Sequence, residues 1–297
     1  MNSRPTVSVV IPTYNRTDLL PRAIDSVLNQ TYTNLECIVV DGASTEDTQS
    51  VIDEYEDKRL RYFEREQNEN ASAGRNTGIE HSHGEYIAFL DDDDEWLPTK
   101  IEKQLSAFNG VSSDVGIVYC WMDYIKQSGE LVREYRPEAK GYIFPEMLDG
   151  QRIGNSSTLL VRSEAVEKVD GFDESLSRGD DGDFIRRICK KYEVDYVPEV
   201  LVKYYVHHGH KRLTNSDPQG IRNAIQSEKI KFEKFGEELQ NHPDRASNIY
   251  IQIADHYTQL RDWQNVAKYY IKAIATDPTD TSIFPHIFNS AKSLISL

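Results

Sequence analysis

The sequence predicts an α/β protein: a doubly wound sheet over most of the chain, then a smaller helical region. Three observations predict it. Short apolar runs stop abruptly at Pro12, Asp41 and Asp91, as buried strands of a parallel sheet do. Stretches of helical period lie between them, giving strand, helix, strand, helix. From about Ile221 the strand signals disappear and amphipathic helices dominate.

Val7 to Ile11 is the first strand, closed by Pro12. Residues 18–30 then place Leu19, Leu20, Ala23, Ile24, Val27 and Leu28 at helical spacing, with Thr17 or Asp18 to cap the start. Residues 36–40 form a second buried strand ending at Asp41-Gly42, and a helix follows around 48–55. Residues 60–64 alternate as a third strand, 72–81 form a helix, and 85–90 form a fourth strand that runs into Asp91-Asp92-Asp93-Asp94. Residues 116–123, 156–161 and 200–207 read as later strands, and 172–191 as an acidic turn entering a helix. In doubly wound sheets ligands sit beyond the carboxyl ends of the strands. Pro12, Asp41 and Asp91 all fall at such ends, so we expect them to share one site.

We expect a site-bearing domain over 1–220 and a helical region over 221–297. Residues 247–280 look like one tetratricopeptide repeat. Ala254, Tyr257, Ala273 and Pro278 fill its small, aromatic, small and proline positions, and Tyr270 its later aromatic position; Val266 stands where a small residue is usual. One repeat cannot bury its own face, so it should pack on the rest of the chain or on a second chain.

Charge narrows the function. Against 34 Lys and Arg stand 49 Asp and Glu, a net charge of −15, which excludes general nucleic-acid binding. A phosphate-bearing substrate would need a local cation. Cys37, Cys120 and Cys189 have neither metal-site spacing nor a disulfide pattern, which fits a reducing compartment. No signal-like start and no membrane-length apolar run is visible, so the expected location is the cytoplasm, with peripheral contact at the inner face of the membrane left open. The apolar stripe of Ile283, Phe284, Ile287, Phe288, Leu294 and Ile295 is expected to pack on the preceding helices rather than lie on a membrane.

The run Asp91 to Asp94 carries the chemistry. Adjacent carboxylates repel one another, and gathering them without a cation is costly. Asp91 and Asp93 can converge while Asp92 points elsewhere. Two carboxylates plus diphosphate oxygens would make an oxygen-rich site for Mn²⁺ or Mg²⁺. An acidic run is ordinarily a solvated loop. This one follows a buried strand and precedes Trp96, which should pack beneath it.

Six segments in order resemble inverting family 2 glycosyltransferases of the GT-A fold. They are Val7-Ser8-Val9-Val10-Ile11-Pro12-Thr13-Tyr14-Asn15-Arg16, Val39-Val40-Asp41-Gly42-Ala43-Ser44-Thr45, Ala73-Gly74-Arg75-Asn76-Thr77-Gly78-Ile79, Phe89-Leu90-Asp91-Asp92-Asp93-Asp94, Gly171-Phe172-Asp173-Glu174 and Gly179-Asp180-Asp181. The resemblance covers about residues 5–210 and implies a doubly wound mixed sheet with the catalytic domain in 1–220. It implies a nucleotide-sugar donor, with UDP the expected nucleotide, and a glycan or lipid-linked acceptor. Pro12, Thr13 and Tyr14 would line the base, and Asp41 would hydrogen-bond it. Gly42-Ala43 stands where many members have Asp-Gly. Asn70 and Arg75 would approach the donor phosphates, although Arg75 could equally be a structural pin. Asp91 and Asp93 would hold the metal, with Asp92 beside the ribose. Asp181 matches the general base, and capping of a helix is its ordinary alternative. His207 matches a late histidine that reaches the metal or diphosphate, with His208 and His210 close by; Lys211 and Arg212 could touch the donor as the loop closes.

The acceptor site is expected from residues 129–155 and the loop before Asp180, with Asn155 to Thr158 facing a sugar. Two other readings compete with this one. A sugar nucleotidyltransferase would have a glycine-rich basic loop after the first strand, which Pro12 to Arg16 lacks. A non-catalytic module acting through its helical tail, by binding a protein partner or a second copy, would be favoured by loss of Asp93 or Asp181, and both are present.

Overall fold

The two longest apolar runs of the N-terminal half become the centre of the sheet. In β1 (Val7–Thr13) and β2 (Leu35–Asp41) every residue is buried, which is why these strands read as unbroken runs and not as alternation. The structure, a computed structural model, describes residues 5–206, 209 and 217–295. Helix α1 (Leu20–Leu28) connects β1 to β2 and buries Leu20, Ala23, Ile24 and Val27. Next come α2 (Thr48–Asp53), β3 (Leu60–Glu64), α3 (Ala71–Glu80), β4 (Tyr86–Phe89), β5 (Asp94–Trp96) and α4 (Lys100–Asn109). The remainder of the sheet unit is β6 (Val115–Lys126), β7 (Leu131–Tyr135), β8 (Leu160–Arg162), α6 (Ser163–Glu167), α7 (Asp180–Cys189) and β9 (Glu193–Val206), with a 3₁₀ turn at Ser156–Thr158; the short α5 (Phe144–Met147) precedes that turn in the chain.

One mixed sheet has the order β3-β2-β1-β4-β8-β6-β9-β5, with β7 paired to β6. The strands β3, β2, β1 and β4 are parallel, and β8 is antiparallel to both β4 and β6. Chain order reverses between β2 and β4 around β1, the arrangement that opens a ligand crevice at the strands' carboxyl ends. Helix α3 lies directly on β1 because two glycines allow it. A Cβ on Gly78 would fall 2.2 Å from Val10 Cγ1, and one on Gly74 3.1 Å from Pro12 Cβ. The motif spacing Gly-x-x-x-Gly here is therefore a packing requirement.

Two expected strands need correction. Residues 156–161 are not one strand: Asn155 C=O accepts from the Thr158 N–H (3.0 Å) and its hydroxyl (2.7 Å), winding 156–158 into a turn before β8. The strand expected from residue 200 starts at Glu193. Pro198 and Glu199 disguise it: Cys120 pairs with Val197 while Trp121 pairs with Val200, so both residues bulge out of the ladder and Pro198 has no donor to lose.

The second compact unit comprises residues 144–151, 176–179 and, among the described residues, 217–295. Its helices are α8 (Pro218–Gln240), kinked at Phe235, α9 (Pro243–Gln259), α10 (Trp263–Thr276) and α11 (Ile283–Ile295). Ala254 and Ala273 are fully buried where α9 meets α10, as small repeat positions should be. Phe232 stacks on Tyr250 at 4.5 Å and Tyr257 on Tyr269 at 5.6 Å. Asp149 is buried within this unit and receives Arg245 Nη1 (3.3 Å) and Asn248 Nδ2 (2.8 Å); its carbonyl receives Gln252 Nε2 (2.7 Å). The C-terminal stripe divides: Ile283 is buried, but Phe284, Phe288 and Leu294 face solvent, so inward packing holds for only part of it. No helix among the described residues is long and apolar enough to cross a membrane.

Candidate active site

The loops after β1 and β2 hold each other. Asn15, at a φ of 50°, turns its Oδ1 onto the N–H groups of Thr45 (2.7 Å) and Glu46 (3.3 Å). Asp41, at the end of β2, is buried and accepts from the Ser44 N–H (3.0 Å), the Ser44 hydroxyl (2.6 Å) and the Tyr62 hydroxyl (3.1 Å). Thr13 is paired in register with Asp41, and its hydroxyl donates to Asp92 Oδ2 at 2.8 Å. Tyr14 beside it is 42% exposed, an aromatic surface next to the crevice. Pro12 is buried against Gly74. Four residues expected around a base thus stand together.

The acids after β4 fall into two overlapping groups. Asp92 turns toward β1, held by Thr13 and by Arg16 Nη1 at 2.6 Å. Burial pushes its carboxyl up to about 6, although Arg16 opposes the shift. Asp91, Asp93 and Asp94 gather, each with a carboxylate oxygen within 4.8 Å of the other two, and Asp93 Oδ2 shares Arg16 Nη1 with Asp92 at 3.2 Å. The sequence pointed to Asp91 and Asp93; Asp94 joins them because the segment is a turn entering β5, not a continuing strand with strict alternation. An all-oxygen, anionic set of this size fits the donor chemistry of Mn²⁺ or Mg²⁺. Trp96 is buried under this loop, as expected, and its indole N–H donates to the Ser157 carbonyl at 2.8 Å.

Arg75 joins these acids to the start of α7. Its guanidinium is 2.7 Å from both Asp91 and Asp180 and 3.7 Å from Asp181. Burial alone would favour the neutral form, but Asp181, Asp91 and Asp180 outweigh it and hold the charge. Arg75 thus serves as a pin between acids. Asp181 takes the Ser156 N–H on Oδ2 at 3.1 Å, while its Oδ1 is buried with no hydrogen-bond partner. Burial pushes this carboxyl up to about 7, with Arg75 acting in the opposite sense. A group poised there can take a proton near neutral pH.

Asn70 caps α3, accepting from the Ala73 N–H at 2.9 Å, and donates to the Glu174 carbonyl at 2.7 Å. Asn76 exchanges hydrogen bonds with Phe172: the Phe172 N–H to Oδ1 at 2.8 Å and Nδ2 to the Phe172 carbonyl at 2.9 Å. Gly171 has a φ of 61°, and a Cβ there would sit 2.5 Å from Asn76 Oδ1. The segments Ala73–Ile79 and Gly171–Glu174 are therefore two sides of one clasp, which sets α3 and carries Arg75 with it. The stacked rings of Phe172 and Phe184, 4.1 Å apart, seat α7 on the same clasp.

Of the stretch expected to face a sugar, Asn155 is half-buried and the next three residues do not face one. Ser156, Ser157 and Thr158 are fully buried. They bond inward: the 3₁₀ turn points the Ser156 N–H and the Ser157 hydroxyl at acids, and Thr158 bonds back to the Asn155 carbonyl. Asp94, Arg16 and Ser157 are the site residues that sequence reasoning missed. Asp94 carried a signal, since it is the fourth acid of the run; Ser157 carried none. His207 lies outside the described residues, as do His208, His210, Lys211 and Arg212.

Residues 8–170 match the family described as glycosyl transferase family 2. Among curated relatives, the chain is 42% identical over 267 residues to the putative teichuronic acid biosynthesis glycosyltransferase TuaG of Bacillus subtilis, covering 88% of this chain and 99% of that protein. It is 34% identical over 214 residues to the uncharacterized glycosyltransferase MJ1057 of Methanocaldococcus jannaschii, 68% of this chain and 71% of the relative. Of the Rickettsia typhi relative RT0329, 34% identical over 210 residues, the chain spans 64% of the length. The fold is shared with S. aureus TarS 1–349 in complex with UDP-GlcNAc, at a TM-score of 0.60, 16% identity and 90% coverage of each chain. It is also shared with the mannosyltransferase PcManGT of Pyrobaculum calidifontis in complex with GDP-Man and Mn²⁺, at a TM-score of 0.58, 19% identity, and 94% and 88% coverage.

Proposed function

Since the chain belongs to glycosyltransferase family 2 and has the GT-A fold, we propose that it moves a sugar from a UDP-linked donor, with inversion, onto a hydroxyl of a glycan or lipid-linked acceptor in cell-surface polysaccharide assembly. The observation that carries this reading is the joining, through Arg75, of a three-carboxylate cluster to Asp181 at the carboxyl ends of the strands. The 42% identity to a putative teichuronic acid biosynthesis enzyme supports the polysaccharide setting, and the UDP-GlcNAc held by TarS supports a UDP donor.

Each residue has a task in this reading. Asp41 hydrogen-bonds the base and Tyr14 offers it a face to stack on. Pro12 and Thr13 line the base, and Asp92 lies toward the ribose. Asp91, Asp93 and Asp94 hold Mn²⁺ or Mg²⁺, with His207 a further ligand from the later loop. The bound ion supplies positive charge to the diphosphate leaving group. Asp181 takes the proton from the acceptor hydroxyl through Oδ1 as that oxygen attacks the anomeric carbon opposite the diphosphate. Asn70 shapes the phosphate side by fixing the start of α3, and Arg75 keeps the two halves in register. The chemistry belongs to the region 1–220, and the helices of 221–297 serve packing or partner contact.

The test is a screen of UDP-sugars by thermal unfolding, with and without Mn²⁺. UDP with Mn²⁺ should stabilise the protein by about 2.7 kcal/mol at 100 times its dissociation constant. EDTA should remove the effect, and so should Asp93→Ala. Metal-independent stabilisation that survives Asp93→Ala would overturn the assignment of the acids.

A further inference from the structure

The 3₁₀ turn Ser156–Thr158 touches both halves of the site at once. The Ser157 hydroxyl donates to Asp94 Oδ2 at 2.7 Å and accepts the Asp91 N–H at 3.2 Å. One hydroxyl thus fixes the rotation of the last acid of the run and the backbone of the first. One residue earlier, the Ser156 N–H holds Asp181 Oδ2 at 3.1 Å, and the Ser156 hydroxyl lies 3.4 Å from Arg75 Nη2. Three groups clamp the turn from behind through its carbonyls: Trp96 Nε1 on Ser157 (2.8 Å), Gln104 Nε2 on Thr158 (2.9 Å) and Lys100 Nζ on Leu159 (3.3 Å).

Asp94 is fully buried. A buried carboxylate left to rotate would cost stability and lose aim. A hydroxyl bonded to one of its oxygens sets where the other points, as outer partners of metal ligands do. The clamps on the turn are backbone carbonyl bonds, so they survive loss of either serine hydroxyl. The serine hydroxyls are therefore not needed to shape the turn, yet that of Ser157 is aimed at an acid, while Ser156 meets Asp181 through its N–H.

Resting on the metal reading above, we propose that Ser157 is a positioning residue for the metal-binding acids, and that the turn ties them to Asp181 so that donor and acceptor halves move as one piece. Ser156 works through its backbone and Ser157 through its side chain. That difference supplies the control, because two adjacent, fully buried serines lose the same atom on conversion to alanine.

Mn²⁺ affinity in the presence of UDP, read from the electron paramagnetic resonance signal of free Mn²⁺, decides it. Ser157→Ala should bind Mn²⁺ about tenfold more weakly than the wild type. Ser156→Ala should match the wild type in affinity. Ser157→Ala, which leaves buried Asp94 short of a donor, should unfold at a lower temperature, so affinity is read on folded protein below that transition. Were Ser157→Ala to fail to fold, Ser157→Cys keeps a weak donor and carries the same comparison with Ser156→Ala. Wild-type affinity in the Ser157 variant, or equal weakening in both variants, would overturn the proposal. A wild-type protein that binds no Mn²⁺ would instead bring down the metal reading itself, and this inference with it.

Discussion

Asp149 in the helical unit is buried, and the acids of the sheet unit are buried (Asp92, Asp93, Asp94) or half-buried (Asp91, Asp180, Asp181), yet they are compensated differently. Asp149 is a single carboxylate met by Arg245 and Asn248, with Gln252 on its carbonyl. In the sheet unit Asp91, Asp92, Asp93, Asp94, Asp180 and Asp181 face Arg16 and Arg75. The first arrangement is matched and needs nothing more. In the second, several carboxylates share each guanidinium, and burial pushes Asp92 up to about 6 and Asp181 to about 7. Carboxylates held this way cost stability, and a protein keeps them where a cation or a proton is to be received.

That contrast can be broken most sharply at Asp181. Asp181→Asn keeps the shape and removes the proton acceptor, so donor turnover with acceptor present should fall by about 10²–10⁴-fold. A variant within a few-fold of wild type would return Asp181 to ordinary helix capping. Arg75→Met comes next: it leaves half-buried Asp91 and Asp180 without their shared counter-charge, and should cost roughly 1–3 kcal/mol in chemical denaturation. At the matched site, Asp149→Asn should cost about 1–3 kcal/mol, while turnover per folded molecule stays at the wild-type level. A turnover loss there would mean the helical unit takes part in the chemistry.

The smallest effect has the opposite sign. The folded pKa of Asp181 is about 7, against about 3.9 unfolded. Between those values the folded state keeps a proton that the unfolded state has lost, so stability falls as pH rises from about 4 to 7. Asn carries no such cost. Asp181→Asn should therefore gain on the order of 1 kcal/mol over wild type at pH 8, and the gain should vanish toward pH 4. Denaturant titrations at the two pH values would show it.

What could be read from residues alone follows from locality. Strands buried on both faces declare themselves as continuous apolar runs, so β1, β2 and β4 were legible with their connecting helices, while half-buried β3 was legible from its alternation. The site residues at strand ends were legible because topology sends those ends to one crevice. Ser157 was not, because its meaning lies in a bond to Asp94, 63 positions away. Asp94 was passed over because strict alternation was carried beyond the end of β4. The early part of β9 was hidden by Pro198, which sits in a bulge that the paired strand alone reveals. The resemblance to a family supplied roles; the clasp of Asn76 with Phe172 supplies a physical reason for two of its segments.

Asp149 meets Asn248 and Gln252 across 99 and 103 positions of chain. At roughly 5–20 residues per second of synthesis, those helical donors leave the ribosome on the order of 5–20 s after residue 149. The loop 144–151 must stay open throughout that interval, while β1 to β4 have long been available to pair. Birth order therefore favours a sheet assembled early and a helical unit completed late, and a nascent chain released before residue 252 would lack the donors on which that loop closes.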